Sequence, residues 1–269
     1  MNETVIELSG VYYSYLGKYP ALCGVDFNVR KGEKVAIIGA NGTGKSTLLS
    51  MLDGLVFPDK GKVNIFGNEI SEDVFFDQEF SRCFRSHVGF VFQNSDIQLF
   101  CPTAEEDILF GPIQLGMAED VTKKRFDELV LKLNISHLLH RAPHELSAGE
   151  KKKIAIASTL IIDPEVIILD EPTAGLDPST MRHIMDIIIQ ANLDGKTIIT
   201  ATHDLHIVEE IADKVYVFSD SKNIVRSGPV KELFMDMQFL RENNLVHIHA
   251  HAHKDGIHVH PHEHVDHHH

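Results

Sequence analysis

Short apolar runs separated by polar and glycine-rich segments predict a sheet of buried strands. The clearest runs cover residues 35–38, 166–169 and 196–201. Continuous apolar runs of this length are typical of central parallel strands that are covered on both faces. The pattern therefore predicts an α/β protein whose core is built on such a sheet.

Other segments show different patterns. The first 35 residues are rich in strand-forming residues, and a further short strand is expected around 63–66. Between Gln93 and residue 146 the pattern becomes helical. One face of this insertion is predicted to be packed core, and not a ligand groove, because its apolar residues recur at helical spacing. Those residues are Phe126, Leu129, Val130 and Leu133.

A glycine-rich segment joins the first buried strand to a predicted helix at 48–52. Glycines allow the backbone to approach phosphate closely, and the loop N–H groups with the helix N-terminus supply positive potential. Lys45 is expected to reach the β- and γ-phosphates, and the Ser46 hydroxyl to bind Mg²⁺. Because strand, loop and helix occur in the required order, we predict a phosphate site. It comprises Gly39, Ala40, Asn41, Gly42, Thr43, Gly44, Lys45, Ser46 and Thr47.

Two carboxylates end the second buried strand. At the carboxyl edge of a parallel sheet, where α/β folds bind ligands, Asp170 is suited to hold Mg²⁺, directly or through water. Glu171 is then free to orient or deprotonate an attacking water molecule. An Asp-Glu-Pro triplet alone could merely cap a strand, but together with the phosphate loop it predicts nucleotide hydrolysis.

Further segments, in order around these two motifs, make residues 4–235 resemble the ATP-binding-cassette ATPases. Tyr15 matches the aromatic residue on which the family stacks adenine. Gln93 matches the glutamine that links the nucleotide site, and its Mg²⁺, to the transport partner. His203 matches the switch histidine near the γ-phosphate. The resemblance implies that Lys45, Gln93, Glu171 and His203 take part in ATP hydrolysis.

The segment Leu146–Glu150 resembles the family's signature, with Ala148 and Glu150 in place of the commonest glycine and glutamine. In the family, the serine and glycine that match Ser147 and Gly149 face the γ-phosphate of ATP held by the other subunit. Residues 174–177 match a loop that contacts that subunit. The resemblance therefore implies a head-to-tail dimer that encloses two ATP molecules, and a homodimer is the simplest form.

The resemblance also implies an architecture. We expect a P-loop NTPase parallel-sheet core with an N-terminal antiparallel β subdomain and a helical subdomain at about 94–160. Residues 1–235 form the ATPase domain, and residues 236–269 form a C-terminal extension with a flexible histidine-rich tail.

Within the family, the chain looks like the energy-coupling-factor importers. The resemblance lies in residues 91–100, 105–107, 110–112 and 150–152. Members of that group import vitamins or the metals cobalt and nickel, together with a membrane coupling protein and a membrane substrate-capture protein. A companion cassette gene would favour the vitamin alternative, in which the ATPase is a heterodimer.

The last 23 residues contain eleven histidines. Imidazole binds Ni, Co, Cu and Zn well, and clustered histidines raise the local ligand concentration. An extended segment would present alternate residues on one side. A purification tag and a passive metal buffer are the alternatives to a role in nickel or cobalt transport. The candidate metal ligands are His247, His249, His251, His253, His258, His260, His262 and His264.

Charge and composition restrict the remaining classes. A net charge of −14 argues against nucleic-acid binding, which needs a basic face. The few scattered cysteines are expected in a reducing cytosol. No apolar run reaches the ~18 residues of a membrane span, and the N-terminus does not resemble a signal peptide. We therefore expect a peripheral protein on the cytoplasmic face of the cell membrane. A soluble metal store or sensor regulated by nucleotide is the rival from another class.

Overall fold

The computed structural model describes residues 3–245, and beyond them the backbone of 247–253 and 256–262. The strands are β1 Thr4–Tyr15, β2 Tyr19–Arg30, β3 Lys34–Ile38, β4 Lys60–Ile65, β5 Asn68–Glu69, β6 Val88–Val91, β7 Val166–Asp170, β8 Thr197–Ala201, β9 Lys214–Phe218, β10 Ile224–Pro229, β11 His247–His253 and β12 Gly256–His262. The helices are α1 Lys45–Leu52, α2 Glu72–Phe75, α3 Gln78–His87, α4 Ala104–Leu115, α5 Glu119–Leu133, α6 Ala148–Leu160, α7 Pro178–Leu193, α8 Leu205–Ile211, α9 Val230–Phe234 and α10 Met237–Glu242.

The central sheet has six strands in the order β10-β9-β3-β8-β7-β6. Strands β9, β3, β8, β7 and β6 run parallel, and β10 closes one edge in the antiparallel direction. All three predicted apolar runs form neighbouring strands here, β3, β8 and β7, and β7 and β8 are buried along their whole length. The carboxyl ends of these three strands meet at one edge, where the candidate catalytic residues follow.

A second, antiparallel sheet of order β2-β1-β4-β5 contains the N-terminal strands. Its inward side chains, among them Phe27, pack in one hydrophobic cluster with Leu48 and Leu49 of α1. Four apolar residues of α1 are fully buried, which is expected of a helix enclosed on all sides. The phosphate loop at the start of this helix is therefore anchored in a large hydrophobic core.

Helices α4, α5 and α6 share a second cluster with one face of the central sheet. Val130 and Leu133 are buried, and Phe126 and Leu129 pack partly buried against the same cluster. The prediction that this face is packed core is confirmed.

One feature of the fold is not anticipated by the sequence analysis. Helices α2 and α3 lie between β5 and β6, where the sequence pattern indicates no helix. Asp77 caps the second of them by accepting hydrogen bonds from the Glu79 and Phe80 N–H groups. Three phenylalanine rings, Phe75, Phe80 and Phe84, pack against one another there.

The C-terminal part continues through α9 and α10, whose Leu233 and Leu240 are buried in a third cluster. Beyond it, the backbone of β11 and β12 pairs as an antiparallel hairpin, with His249 opposite His260. The side chains of the eight candidate tail ligands lie outside the described residues, and so does His264 entirely. Among the described residues, no helix is long and apolar enough to cross a membrane.

Candidate nucleotide-hydrolysis site

A cavity of about 1050 Å³ lies at the carboxyl edge of the central sheet. Segments far apart in the chain line it, because the loops after β1, β3, β6, β7 and β8 all end at this edge. It brings together most of the residues predicted for the nucleotide site, namely Tyr15, Asn41, Gly42, Gly44, Lys45, Ser46, Thr47, Gln93, Asp170, Glu171 and His203. Gly39, Ala40 and Thr43 belong to the same loop but do not line the cavity.

The phosphate loop has a backbone that only glycine tolerates at its last turn. Gly44 has φ +115°, and a Cβ placed on it would lie 2.4 Å from the carbonyl oxygen of Ala21. The following Lys45 is buried, and its Nζ donates to the Gly39 and Ala40 carbonyls at 2.6 and 3.1 Å. Burial lowers the pKa of Lys45, while the nearby Glu171 and Asp170 act in the opposite direction. The phosphate loop thus fixes the Lys45 ammonium group at the cavity wall.

The Asp170 carboxylate has the properties expected of a Mg²⁺ ligand. It is 6% exposed, and its Oδ1 atom has no hydrogen-bond partner among the described residues. Burial raises the pKa of Asp170, and a hydrogen bond with Ser46 lowers it. A buried oxygen without a partner is costly, and a hard cation beside the Ser46 hydroxyl would satisfy it. The residues present therefore fit Mg²⁺, with Gln93 lining the same cavity.

Glu171 has an uncommon backbone conformation, and two neighbours hold its side chain. Its φ of +44° lies in the left-handed region, which is uncommon for residues other than glycine and clusters at functional sites. The His203 Nδ1 atom lies 2.8 Å from Oε1, and the Thr202 hydroxyl donates to Oε2 at 3.1 Å. The hydrogen bond to Glu171 raises the pKa of His203. This carboxylate is fixed in place and faces the cavity, as a group that positions or deprotonates water must be.

Tyr15 and Lys222 occupy the rim of the cavity. Tyr15 is 44% exposed, and its hydroxyl lies 3.1 Å from the Thr47 Oγ1 atom. An exposed aromatic face beside the phosphate loop is suited to stack on a nucleobase. Lys222 donates to the Gly42 carbonyl from the loop between β9 and β10, which adds a second cation to this rim.

The signature residues Ser147 and Gly149 do not line this cavity. Ser147 caps α6 in a capping box, in which the Ser147 N–H and hydroxyl donate to Glu150 Oε2 at 2.7 and 2.8 Å. These hydrogen bonds lower the pKa of Glu150, and Arg141 lies 3.4 Å from its other carboxylate oxygen. The glutamate that departs from the commonest signature thus orients the serine hydroxyl and fixes the first turn of the helix.

Sequence reasoning missed three residues of this region. Thr202 has no motif of its own beyond preceding His203. Lys222 lies in a polar turn with no recognisable pattern. Lys152 stands in a lysine run that resembles a solvated helix face, yet the structure buries it to 3% exposure. Burial lowers the pKa of Lys152 to about 8.

Comparison with known proteins gives consistent similarities. Residues 22–174 match the ABC transporter family. The chain is 43% identical to the nickel import ATP-binding protein NikO of Rhodobacter capsulatus, over 89% of this chain and 95% of the relative. It is also 43% identical to the energy-coupling factor transporter ATP-binding protein EcfA of Methanocaldococcus jannaschii, over 90% and 85%. The solved structure of CbiO1 from Clostridium perfringens, part of the CbiONQ complex, is similar with a TM-score of 0.76 and 36% identity, over 90% and 95%.

Proposed function

The chain belongs to the ABC transporter family of ATPases, and we propose that it powers an energy-coupling-factor importer for nickel or cobalt. The observation that carries the ATPase assignment is the fixed Glu171 carboxylate beside the phosphate loop and the Asp170–Ser46 pair. Similarity to a nickel import protein and to CbiO1 supports the choice of branch.

In the proposed reaction, ATP lies in the cavity with its phosphates on the loop that ends at Lys45. Mg²⁺, held by Ser46 and Asp170 with Gln93 nearby, would neutralise charge that develops on the phosphates. Glu171 accepts a hydrogen bond from the attacking water and orients it toward the γ-phosphate. His203 lies on the other side of that carboxylate and contacts the γ-phosphate, so that its position reports whether the bond is intact.

A second copy of the chain would complete the site. Ser147 and Gly149 stand at the N-terminus of α6, where N–H groups and the helix dipole favour an anion. Because these residues lie outside the chain's own cavity, we propose that they contact ATP held by a second subunit in a head-to-tail homodimer. Closure on ATP and reopening after hydrolysis would then drive the membrane partners.

Exposed apolar residues on the segment that follows Gln93 in the chain are a candidate docking surface for the membrane coupling protein. Phe100, Phe110 and Ile113 are 65, 40 and 69% exposed, and the rings of Phe100 and Phe110 lie 4.9 Å apart. Such clusters are typical of interaction sites. We call these three residues the apolar face. Its position on the segment that follows Gln93 would link partner movement to the nucleotide site.

Replacing Phe100 by glutamate is expected to reduce metal uptake at least about tenfold, because a buried, unpaired charge disrupts an apolar interface. The ATPase activity of the isolated protein should stay within about twofold of the parent, since Phe100 does not line the cavity. Uptake in cells and co-purification with a tagged membrane partner are the measurements.

Leu131→Glu is the matched control, since Leu131 is 79% exposed on α5. Equal loss of uptake in both variants would contradict docking at the apolar face.

The cargo is tested by uptake of radiolabelled Ni²⁺ and Co²⁺ in cells that express the complete transporter. We expect uptake of at least one metal, and its loss in the Glu171→Gln variant. Truncation after Leu245 keeps the third hydrophobic cluster intact, because Leu245 is its last buried member, and removes all candidate tail ligands. Reduced uptake after truncation would give the tail a role in transport.

Other outcomes of that assay favour the alternatives. An assembled, ATP-hydrolysing complex that takes up neither metal would favour the vitamin importer, with the tail as a metal buffer. A protein without membrane partners and with little steady hydrolysis would favour the metal store or sensor.

A further inference from the structure

Lys152 places a buried ammonium group against the loop that carries Gln93. Its Nζ donates to the carbonyl oxygens of Phe92 and Gln93 at 2.9 and 2.8 Å. The side chain is 3% exposed. Burying a cation is costly unless it is paired or hydrogen-bonded. The hydrogen bonds to these two carbonyls therefore offset the cost of burying the Lys152 ammonium group. Charge-assisted hydrogen bonds of this kind are short and about twice as strong as neutral ones.

The same lysine belongs to the helix that begins at the signature. Ser147 caps α6, and Lys152 lies just over one turn beyond it. The helix therefore presents Ser147 at its N-terminus and holds the backbone of Gln93 by its second turn. Helix α6 therefore connects Ser147, which would contact the partner's ATP, with Gln93, which lines the chain's own cavity.

Two other side chains, Lys151 and Gln98, also join the Gln93 loop to α6. Lys151 Nζ lies 2.6 Å from Asp96 Oδ1. Gln98 accepts from the Phe92 N–H at 3.1 Å and donates to the Ala155 carbonyl at 3.1 Å. The loop is thus bonded to the helix on both sides of Gln93. Lys152 alone among these contacts bonds the Gln93 backbone itself. Burial lowers the pKa of Lys152, and the negative charges of Asp170 and Glu171 act in the opposite direction.

We propose that Lys152 is a positioning residue for ATP hydrolysis, which fixes Gln93 in the cavity relative to the signature helix. This inference rests on the proposed dimeric ATPase and names the contact by which one site would sense the other. When Ser147 engages the partner's ATP, α6 moves, and Lys152 carries the Gln93 backbone with it. Nucleotide binding by the phosphate loop does not require the contact, whereas the hydrolysis step does.

The test compares full-length Lys152→Met, Lys152→Arg and Lys153→Met proteins. Methionine keeps the length and apolar stem of lysine but removes the donors, and arginine keeps charge and donors. Lys153 is the control because it is the adjacent, partly exposed lysine of the same run. kcat and KM for MgATP are measured by phosphate release, and the thermal unfolding midpoint checks the fold.

We expect Lys152→Met to lower kcat about tenfold or more and to leave KM within about twofold, the pattern of an interaction needed for the chemical step and not for binding. Lys152→Arg should recover at least about half of the parental kcat, and Lys153→Met should match the parent. Parental kcat in Lys152→Met would overturn the proposal, and so would a loss of equal size in Lys153→Met.

If Lys152→Met does not fold, the Lys152→Gln variant is used to test the proposal instead. The glutamine side chain is shorter than that of lysine and carries no charge, so it cannot reproduce the two charge-assisted hydrogen bonds of Lys152. Folded Lys152→Gln with reduced kcat therefore supports the proposal, and parental kcat overturns it. A parent protein that hydrolyses no ATP would instead contradict the proposed function, and it would be recognised before any variant is compared.

Discussion

Replacing Glu171 by glutamine is expected to lower kcat for ATP hydrolysis by at least about a hundredfold and to leave ATP binding intact. A general base contributes about 10²- to 10⁴-fold to a rate, and the amide cannot accept a proton from water. Glutamine has the same shape as glutamate, so its side chain still lies between Thr202 and His203 and has a polar atom beside each of them. The strained φ of +44° is no worse for glutamine than for glutamate.

The measurement combines steady-state phosphate release with equilibrium binding of labelled ATP and with light scattering. Because ATP binds but is not consumed, the variant should accumulate as a dimer in MgATP, while the parent returns to monomer. Glu209→Gln is the control, since it removes an equal charge from an exposed position on α8. Hydrolysis by Glu171→Gln at the parental rate would show that another group positions the attacking water.

The nucleotide-binding loops are predictable from the sequence because their chemistry is encoded locally. The phosphate loop and the Asp170–Glu171 pair each follow directly from a short apolar strand. Such strands can be recognised from composition, and they deliver their last residues to one edge of a parallel sheet. The α/β fold predicted from these strands is therefore confirmed, together with the packed helical face at Val130 and Leu133.

Contacts between distant segments are not predictable in this way. Lys152 bonds a carbonyl 60 residues away, and Lys222 bonds one 180 residues away. Both lysines stand in polar surroundings in the sequence, where a solvated side chain is the ordinary interpretation. Only the fold brings the Phe92 carbonyl under α6 and thereby turns an apparent surface charge into a buried hydrogen-bond donor.

Helices α2 and α3 illustrate a second limit. The first has four residues, which is too short for helical periodicity to be recognised. Among the described side chains of these two helices, only Phe84 is buried. These helices are stabilised by the packing of phenylalanine rings against one another. Such tertiary contacts cannot be recognised from a short stretch of sequence.

Replacing Gly44 by alanine is expected to abolish measurable ATP binding, with a loss of affinity of at least about a hundredfold. The new Cβ would lie 2.4 Å from the Ala21 carbonyl oxygen, a contact that requires the backbone to move. The φ of +115° is also disfavoured for any residue with a Cβ. Strain of this kind costs about 1–3 kcal/mol, and overpacking against a rigid neighbour adds a similar amount. If the loop moved to relieve this contact, Lys45 would be displaced, because Lys45 directly follows Gly44.

Gly67→Ala is the control for Gly44→Ala. It has the cost of a positive φ but not the steric clash with a neighbouring carbonyl. Gly67 has φ +75°, but a Cβ there would meet no atom within 4 Å, and it lies in the turn between β4 and β5. We expect Gly67→Ala to lose about 1–2 kcal/mol of unfolding free energy and to bind ATP like the parent. Gly44→Ala should unfold cooperatively yet gain no thermal stability from MgATP, since a ligand stabilises only a protein that binds it. Retained stabilisation of Gly44→Ala by MgATP would mean that the loop can accommodate the methyl group without moving Lys45.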